Sequence, residues 1–144
     1  MKNLLTAATI LLALPVAALA QDAALGEDLY KKCKSCHVIV APDGTAIQKG
    51  GKVGPNLYGV IGRVIGSFPE FKYGDSLISV GADGTVWDEA LLAVYVADPG
   101  AWLKEATGDG AAKSKMSFKL AEGGADVAAY LASVAPVEPV EPAP

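Results

Sequence analysis

The sequence predicts an all-α fold in which several short helices are joined by long loops. Apolar residues recur at helical spacing in three separate stretches: near the start of the chain, in its second half and close to its end. Between the first two, residues 39–71 are rich in glycine and proline, which interrupt regular structure. A loop of this length is unusual in a compact domain unless it encloses or binds something.

The first predicted helix begins after Asp22, a typical N-cap residue, and extends to about Lys34. Gly26 lies inside it, where glycine costs ~1 kcal/mol relative to alanine, so we expect another backbone to cross closely there. Simple tolerance of a glycine near a helix start is the alternative. The apolar face of this helix recurs at four-residue steps: Leu25, Leu29 and Cys33.

Helical patterns return at residues 75–80 and, more clearly, from Trp87. Asp98-Pro99 ends that helix and begins another, because the residue before a proline avoids helical geometry while proline suits the first helical position. A last helix is predicted from Ala125 to Val134. The apolar faces of the two longer helices contain Leu91, Leu92, Tyr95 and Val96, and Val127, Tyr130, Leu131 and Val134.

The strongest functional signal is Cys33-Lys34-Ser35-Cys36-His37, which holds both cysteines and the single histidine of the chain. Two thiols separated by two residues and followed by an imidazole are the pattern of c-type haem attachment. Each thiol can add to one vinyl group of the porphyrin, and the adjacent histidine can supply a nitrogen ligand to the iron. We therefore predict one covalent haem c, attached through Cys33 and Cys36, with His37 as an axial iron ligand.

Two other functions of a Cys-x-x-Cys pair fit less well. A thioredoxin-like redox pair belongs to a βαβ context, whereas the residues before Cys33 are predicted to be helical. A structural zinc site usually needs four protein ligands, and no cysteine or histidine follows His37.

Met116 is the candidate for the second axial ligand. It lies in a loop of small and basic residues, 108–118, and is the only methionine besides Met1. A methionine there could simply fill a gap in the core. Histidine and methionine together, however, keep a haem iron six-coordinate and raise its reduction potential. An open sixth position would instead indicate an enzyme of the peroxidase or gas-binding type.

The two ends of the chain have compositions typical of segments outside a fold. Residues 1–20 combine Lys2, an apolar run and Ala18-Leu19-Ala20, as in a secretory signal peptide that is cleaved after a small residue. The run is shorter than the ~20 residues that span a bilayer, which argues against a membrane anchor. Residues 136–144 repeat proline and glutamate and are predicted to be a disordered tail. One domain, residues 21–135, remains.

Charge is unevenly distributed in this chain of net charge −4. Both predicted iron ligands lie in basic segments, since residues 29–42 and 110–121 contain lysines and no acid, whereas residues 73–103 contain acids and no base. A basic rim around an exposed haem edge would attract acidic partners and make association weaken with salt. An ordinary solvated lysine surface is the alternative. Nucleic acid is not an expected partner, because net acidity and export both oppose it.

From about Gly26 to Val134 the chain resembles the class I c-type cytochromes and, among them, the cytochromes c2 of purple bacteria. The resemblance implies the class I cytochrome c fold, wrapped around one covalent haem c. Residues 104–113 are longer than in mitochondrial relatives, and the tail has no counterpart. Three motifs carry the resemblance: Cys33 to His37, Gly54-Pro55-Asn56-Leu57-Tyr58-Gly59 with Gly62-Arg63, and Met116-Ser117-Phe118.

The resemblance also implies roles for residues around the haem. The carbonyl of Pro55 would accept a hydrogen bond from the ring of His37 and so orient it. Tyr95 would hydrogen-bond the sulfur of Met116. Three residues would contact the haem propionates: Arg63, Tyr73 and Trp87. Four residues would form the crossing of the first and last helices: Gly26, Tyr30, Val127 and Tyr130.

The function implied by the resemblance is that of a monomeric, periplasmic electron carrier rather than an enzyme. It would take single electrons from the cytochrome bc1 complex and deliver them to a photosynthetic reaction centre or a terminal cytochrome oxidase. Both encounters would be transient dockings at membrane complexes with small contact areas. The runner-up is an electron-transfer domain dedicated to one dehydrogenase or sulfur-oxidising enzyme, which would differ only in its partner.

Overall fold

The computed structural model describes residues 21–135, so the predicted signal peptide (1–20) and tail (136–144) lie outside the described residues. The described part contains five helices and little strand, which confirms the predicted all-α fold class, and none of its helices is long and apolar enough to cross a membrane. The helices are α1 (Ala23–Tyr30), α2 (Asp75–Gly81), α3 (Glu89–Ala97), α4 (Pro99–Thr107) and α5 (Gly124–Val134). The strands are β1 (Ile39–Val40) and β2 (Ala46–Gln48).

Three helices begin at aspartates that cap them, and one of these, α3, begins at Glu89, two residues after the predicted start at Trp87. The carboxylate of Asp22 accepts hydrogen bonds from the first backbone N–H groups of α1, and that of Asp88 accepts one from Leu91 N at 2.6 Å. Asp98 caps α4 in the same way, and Pro99 occupies the first turn. These contacts satisfy donors that a helix start leaves without partners.

The first helix is shorter than the sequence predicts. It ends at Tyr30, and residues 31–36 form turns. The N–H groups of Lys32 and Cys33 donate to carbonyls three residues earlier, Leu29 O at 3.0 Å and Tyr30 O at 2.8 Å. Such tighter bonds end α-helical geometry just before the attachment motif.

The β1–β2 hairpin is an element that the sequence analysis did not predict. Ile39 pairs with Gln48 and Val40 with Ala46, with an irregularity between them. Strands of two and three residues are too short to show apolar alternation. The available signal was the turn Pro42-Asp43-Gly44, in which Gly44 adopts a φ of 88°.

The first and last helices cross at Gly26, as predicted. A Cβ on Gly26 would lie 1.9 Å from the carbonyl oxygen of Asp126, so only glycine lets the two backbones meet. Asp22 N donates to Asp126 Oδ1 at 2.8 Å, and the rings of Tyr30 and Tyr130 pack with centroids 5.7 Å apart. Helix α3 packs on the start of α5, where a Cβ on Gly124 would lie 2.8 Å from the carbonyl oxygen of Ala93. Helices α3 and α5 form one wall of the central cavity, with four buried side chains: Leu92, Tyr95, Val127 and Leu131.

Candidate haem site

A cavity of about 230 Å³ lies between α3, α5 and the long loops. Its walls are mainly apolar, with Leu57, Val60 and Leu103 among the contributors. The nine residues that the sequence analysis assigned to the haem all line it: Cys33, Cys36, His37, Pro55, Arg63, Tyr73, Trp87, Tyr95 and Met116.

The two cysteines are thiols that open into this cavity and form no disulfide. Burial raises the pKa of the Cys33 thiol to about 11, and the neighbouring Cys36 adds to the rise. Redox-active Cys-x-x-Cys pairs depend on a lowered pKa, so this environment does not fit a thioredoxin-like pair. Within residues 21–135 no group of three or more His, Cys, Asp or Glu side chains is close enough together to hold a metal ion.

His37 is held with one ring nitrogen available for a metal. Its Nδ1 lies 2.8 Å from the carbonyl oxygen of Pro55. A carbonyl only accepts hydrogen bonds, so Nδ1 carries the proton and Nε2 keeps its lone pair. Burial lowers the pKa of His37, although the bond to Pro55 opposes this shift, and the neutral imidazole that metals require is favoured. Gly54 lies against the ring, since a Cβ there would be 2.3 Å from His37 Cε1.

The loop that carries Pro55 runs along the attachment segment and is hydrogen-bonded to it. Gly51 N donates to Lys34 O and Gly54 N to Cys36 O, both at 2.8 Å. A Cβ on Gly51 would lie 2.2 Å from the carbonyl oxygen of Ser35. The glycines of this loop therefore permit the close approach that brings Pro55 to His37.

Met116 is half-buried in the loop between α4 and α5 and lines the same cavity. Its backbone N–H donates to the hydroxyl oxygen of Ser114 at 3.0 Å. Burial raises the pKa of the Tyr95 hydroxyl, and a hydrogen bond with Ser114 opposes the rise. Tyr95 thus lies beside Ser114, two residues before Met116, and its hydrogen bond to the methionine sulfur stays a prediction.

Two contacts, one with α2 and one with the segment before it, also hold the methionine loop. Lys113 N donates to the hydroxyl oxygen of Ser76 at 3.1 Å, and Lys115 Nζ donates to Lys72 O at 2.7 Å. The sequence analysis assigned no role to Ser76 or Ser114. Short hydroxyl side chains in loops have many possible partners, and no spacing pattern distinguishes these.

Arg63, Tyr73 and Trp87 supply polar groups at the cavity wall. Burial lowers the pKa of Arg63, while its interaction with Tyr73 opposes the change, and a guanidinium stays charged in proteins. Trp87 is buried, and its ring centroid lies 4.9 Å from that of Tyr95. A cation beside phenol and indole donors suits carboxylates such as propionates. With two thiols, a neutral imidazole and a thioether on apolar walls, the residues present fit a haem.

No protein-family model matches the chain. The sequence is 61% identical to cytochrome c2 of Rhodobacter capsulatus over 135 residues, which cover 93% of this chain and 98% of that protein. It is 55% identical to cytochrome c-550 of Paracoccus versutus over 141 residues, 96% of this chain and 92% of that one.

The fold is similar to solved structures of both proteins. Cytochrome c2 isolated from Rhodobacter capsulatus matches with a TM-score of 0.77 and 63% identity, covering 78% of this chain and 97% of that chain. Ferric cytochrome c-550 from Paracoccus versutus matches with a TM-score of 0.79 and 56% identity, covering 81% and 100%. The chain belongs to the cytochrome c2 family of class I c-type cytochromes, which are electron-transfer proteins with one covalent haem c.

Proposed function

We propose that this protein carries single electrons in the periplasm, with haem c attached at Cys33 and Cys36 and its iron bound by His37 and Met116. Bound haem supplies one-electron chemistry, because its iron can be ferric or ferrous. The observation that carries the proposal is the convergence of these four side chains on one cavity. Pro55, through its hydrogen bond to His37, keeps the ligating nitrogen oriented.

Retention of both ligands is what makes the site suit electron transfer rather than catalysis. A sulfur ligand from Met116 leaves no position at which a substrate could bind the metal. The hydrogen bond of Met116 N to Ser114 and that of Lys113 N to Ser76 hold the ligand loop in place. We assign Arg63, Tyr73 and Trp87 to the propionates, and Tyr95 to the support of the methionine loop through Ser114.

The mouth of the cavity supports docking to acidic partners. Val53 and Phe118, which are 76% and 39% exposed, line the cavity and offer apolar contact to a partner. Three lysines that also line the cavity form what we call the lysine rim: Lys32, Lys113 and Lys115.

The rim is smaller than the basic segments of the sequence predict. Lys31 pairs with Asp28 at 2.7 Å, and Lys119 with Asp98 at 2.6 Å. The two basic segments contain no acid in the sequence, but Asp28 and Asp98 lie close to them in space. These carboxylates reduce the positive field outside the rim.

We further propose the cytochrome bc1 complex as the electron donor and a photosynthetic reaction centre or a terminal cytochrome oxidase as the acceptor. The relation to cytochromes c2 and c-550 and the lysine rim both support such partners. Residues 1–20 then act as a cleaved export signal, residues 21–135 as the cytochrome domain and residues 136–144 as a tail. Docking is transient and peripheral, and the carrier is a monomer.

Stopped-flow kinetics test this function. Reduction of the haem-loaded protein by bc1 membranes is measured across a salt series for the wild type and for the Lys32→Glu, Lys113→Glu double variant. We expect the wild-type rate to fall as salt increases, and the variant to react about tenfold or more slowly at low salt with a flatter salt dependence.

Lys104→Glu is the matched control, because Lys104 is exposed on α4 and does not line the cavity. Its rate should stay near that of the wild type. A wild-type rate that does not respond to ionic strength would refute docking through the lysine rim. No reduction at all by bc1 membranes would point to a dedicated dehydrogenase or sulfur-oxidising partner instead.

A further inference from the structure

Asn56 follows Pro55 directly, and its side chain is bonded like a backbone peptide. Val40 N donates to Asn56 Oδ1 at 3.0 Å, and Asn56 Nδ2 donates to Val40 O at 2.7 Å. The same Oδ1 also accepts from Tyr58 N at 3.1 Å. The amide thus pairs with Val40 as a neighbouring strand would, at the end of β1.

The backbone of Asn56 is fixed as well. Arg63 Nη1 donates to Asn56 O at 3.0 Å, and the next residue, Leu57, donates its N–H to Val38 O at 3.0 Å. The carbonyl of Pro55 and the nitrogen and Cα of Asn56 belong to one planar peptide unit. A contact that holds Asn56 in place therefore restrains the direction of the Pro55 carbonyl oxygen.

That oxygen is the partner of His37, and His37 lies three residues before Val40 on the same segment. Gly54 N bonds Cys36 O on one side of the His37–Pro55 contact, and the Asn56 amide bonds Val40 on the other. Both ends of the His37–Pro55 bond are thus held by the pairing of residues 36–40 with residues 54–58. The Asn56 amide supplies two bonds of that pairing through a side chain, so substitution can remove them without changing the backbone.

We propose that Asn56 is a positioning residue for the iron ligand His37: it holds the Pro55 carbonyl where it accepts the His37 Nδ1–H, and thereby sets the orientation and basicity of the imidazole. This inference rests on the proposed function of His37 as a ligand. A strong hydrogen bond at Nδ1 makes Nε2 a better electron donor. Better donation favours the ferric state, so weakening the bond should make the reduction potential more positive.

The test compares Asn56→Ala with the wild type in the haem-loaded, ferrous protein. The exchange rate of the His37 Nδ1–H with solvent is measured by NMR, alongside the reduction potential. We expect Nδ1–H exchange to become about tenfold faster, the factor that corresponds to losing one ordinary hydrogen bond, and the potential to shift upward.

Gln48→Ala is the matched control. Gln48, like Asn56, has an amide side chain, and it lies on β2. Its amide donates to Tyr130 OH at 2.7 Å and to Glu27 Oε1 at 3.3 Å, away from Pro55. The Gln48→Ala variant should have lower thermal stability than the wild type, with the same rate of His37 Nδ1–H exchange and the same reduction potential. The inference is overturned if Asn56→Ala changes stability alone, or if both variants shift exchange and potential equally.

Asn56→Asp provides the test if the alanine variant does not retain haem. It keeps an oxygen for Val40 N and Tyr58 N but loses the donor to Val40 O. We expect an intermediate rate of Nδ1–H exchange, and a wild-type exchange rate would refute the positioning role. A wild-type His37 ring whose resonances are unaffected by the haem would contradict the proposed function itself, an outcome distinct from failure of the Asn56 variants.

Discussion

At the scale of single residues, the state of His37 depends on contacts with a loop far from it in sequence. Pro55, which is 18 positions away, sets the tautomer, and Gly54 leaves room for the ring. Burial of the ring keeps the imidazole neutral at neutral pH. An ordinary side chain in place of Gly54 would remove the space that the imidazole occupies.

Gly54→Ala should therefore abolish most six-coordinate haem. Its Cβ would overlap the His37 ring, and overpacking of a rigid contact displaces one of the partners. The ferric absorption spectrum and the yield of haem-loaded protein measure the effect. Gly110→Ala is the control, because a Cβ on Gly110 meets no atom within 4 Å. Equal spectra for the two variants would show that Gly54 does not set the position of the ring.

At the scale of elements, the crossing of α1 and α5 closes the fold on the side of the attachment motif. Gly26 allows the backbones to touch, and Tyr30 and Tyr130 pack beside it. The crossing directly precedes the turns that present Cys33. The stability of the α1–α5 crossing therefore affects how firmly the attachment motif is held.

Gly26→Ala should lower the free energy of unfolding by about 1–3 kcal/mol or more, because its Cβ meets backbone that cannot move aside. Urea unfolding of the haem-loaded protein measures the change. Gly100→Ala in α4 is the control, since the nearest atom to its Cβ is 3.7 Å away and alanine is the better helix former. A neutral Gly26→Ala would mean that the helices cross elsewhere.

The start of α4 should show a pH-dependent contribution to stability. The ammonium of Lys119 and the N–H of Ala101 hold the pKa of Asp98 below its usual range. A carboxyl whose pKa is lower in the folded state stabilises the fold above its unfolded pKa and loses that effect as pH falls through the folded value. Asp98→Asn keeps a capping oxygen but loses the charge.

Thermal unfolding across pH checks this prediction. The wild type should melt at a higher temperature than Asp98→Asn at neutral pH, and the difference should shrink as pH falls below about 4. Lys119→Met should remove most of the difference, because it removes the partner of the carboxylate. A gap between wild type and Asp98→Asn that stays constant with pH would show that the charge pair is not its cause.

Features that depend on interactions between neighbouring residues in the chain could be predicted from the sequence, whereas features that depend on contacts between distant segments could not. The helix starts after Asp22 and at Asp98-Pro99 were predicted because their signals are local, whereas α3, predicted from Trp87, begins at Glu89 with Asp88 as its N-cap. The early end of α1 and the β1–β2 hairpin were not predicted, because short elements leave no periodic pattern. The Cys-x-x-Cys-His motif is local too, whereas the pairs Ser114–Tyr95 and Asn56–Val40 join distant segments that only the fold brings together.

At the scale of the whole molecule, an acidic chain presents a basic and partly apolar mouth around its cavity. Lys32, Lys113 and Lys115 lie there, while the acids of residues 73–103 lie in other parts of the chain. Such asymmetry orients the carrier as it approaches a partner, so net charge alone does not describe its recognition. Under the proposed function, electron transfer at the haem edge would then require only that His37 and Met116 stay bound to the iron.

The ferric absorption spectrum of the purified, haem-loaded protein tests that central claim most directly. If Met116 and His37 both bind the iron, the weak long-wavelength band of iron bound to methionine sulfur is present in the wild type and absent in Met116→Ala. A wild-type spectrum without that band, or a band unchanged in Met116→Ala, would contradict the claim that these two side chains hold the haem.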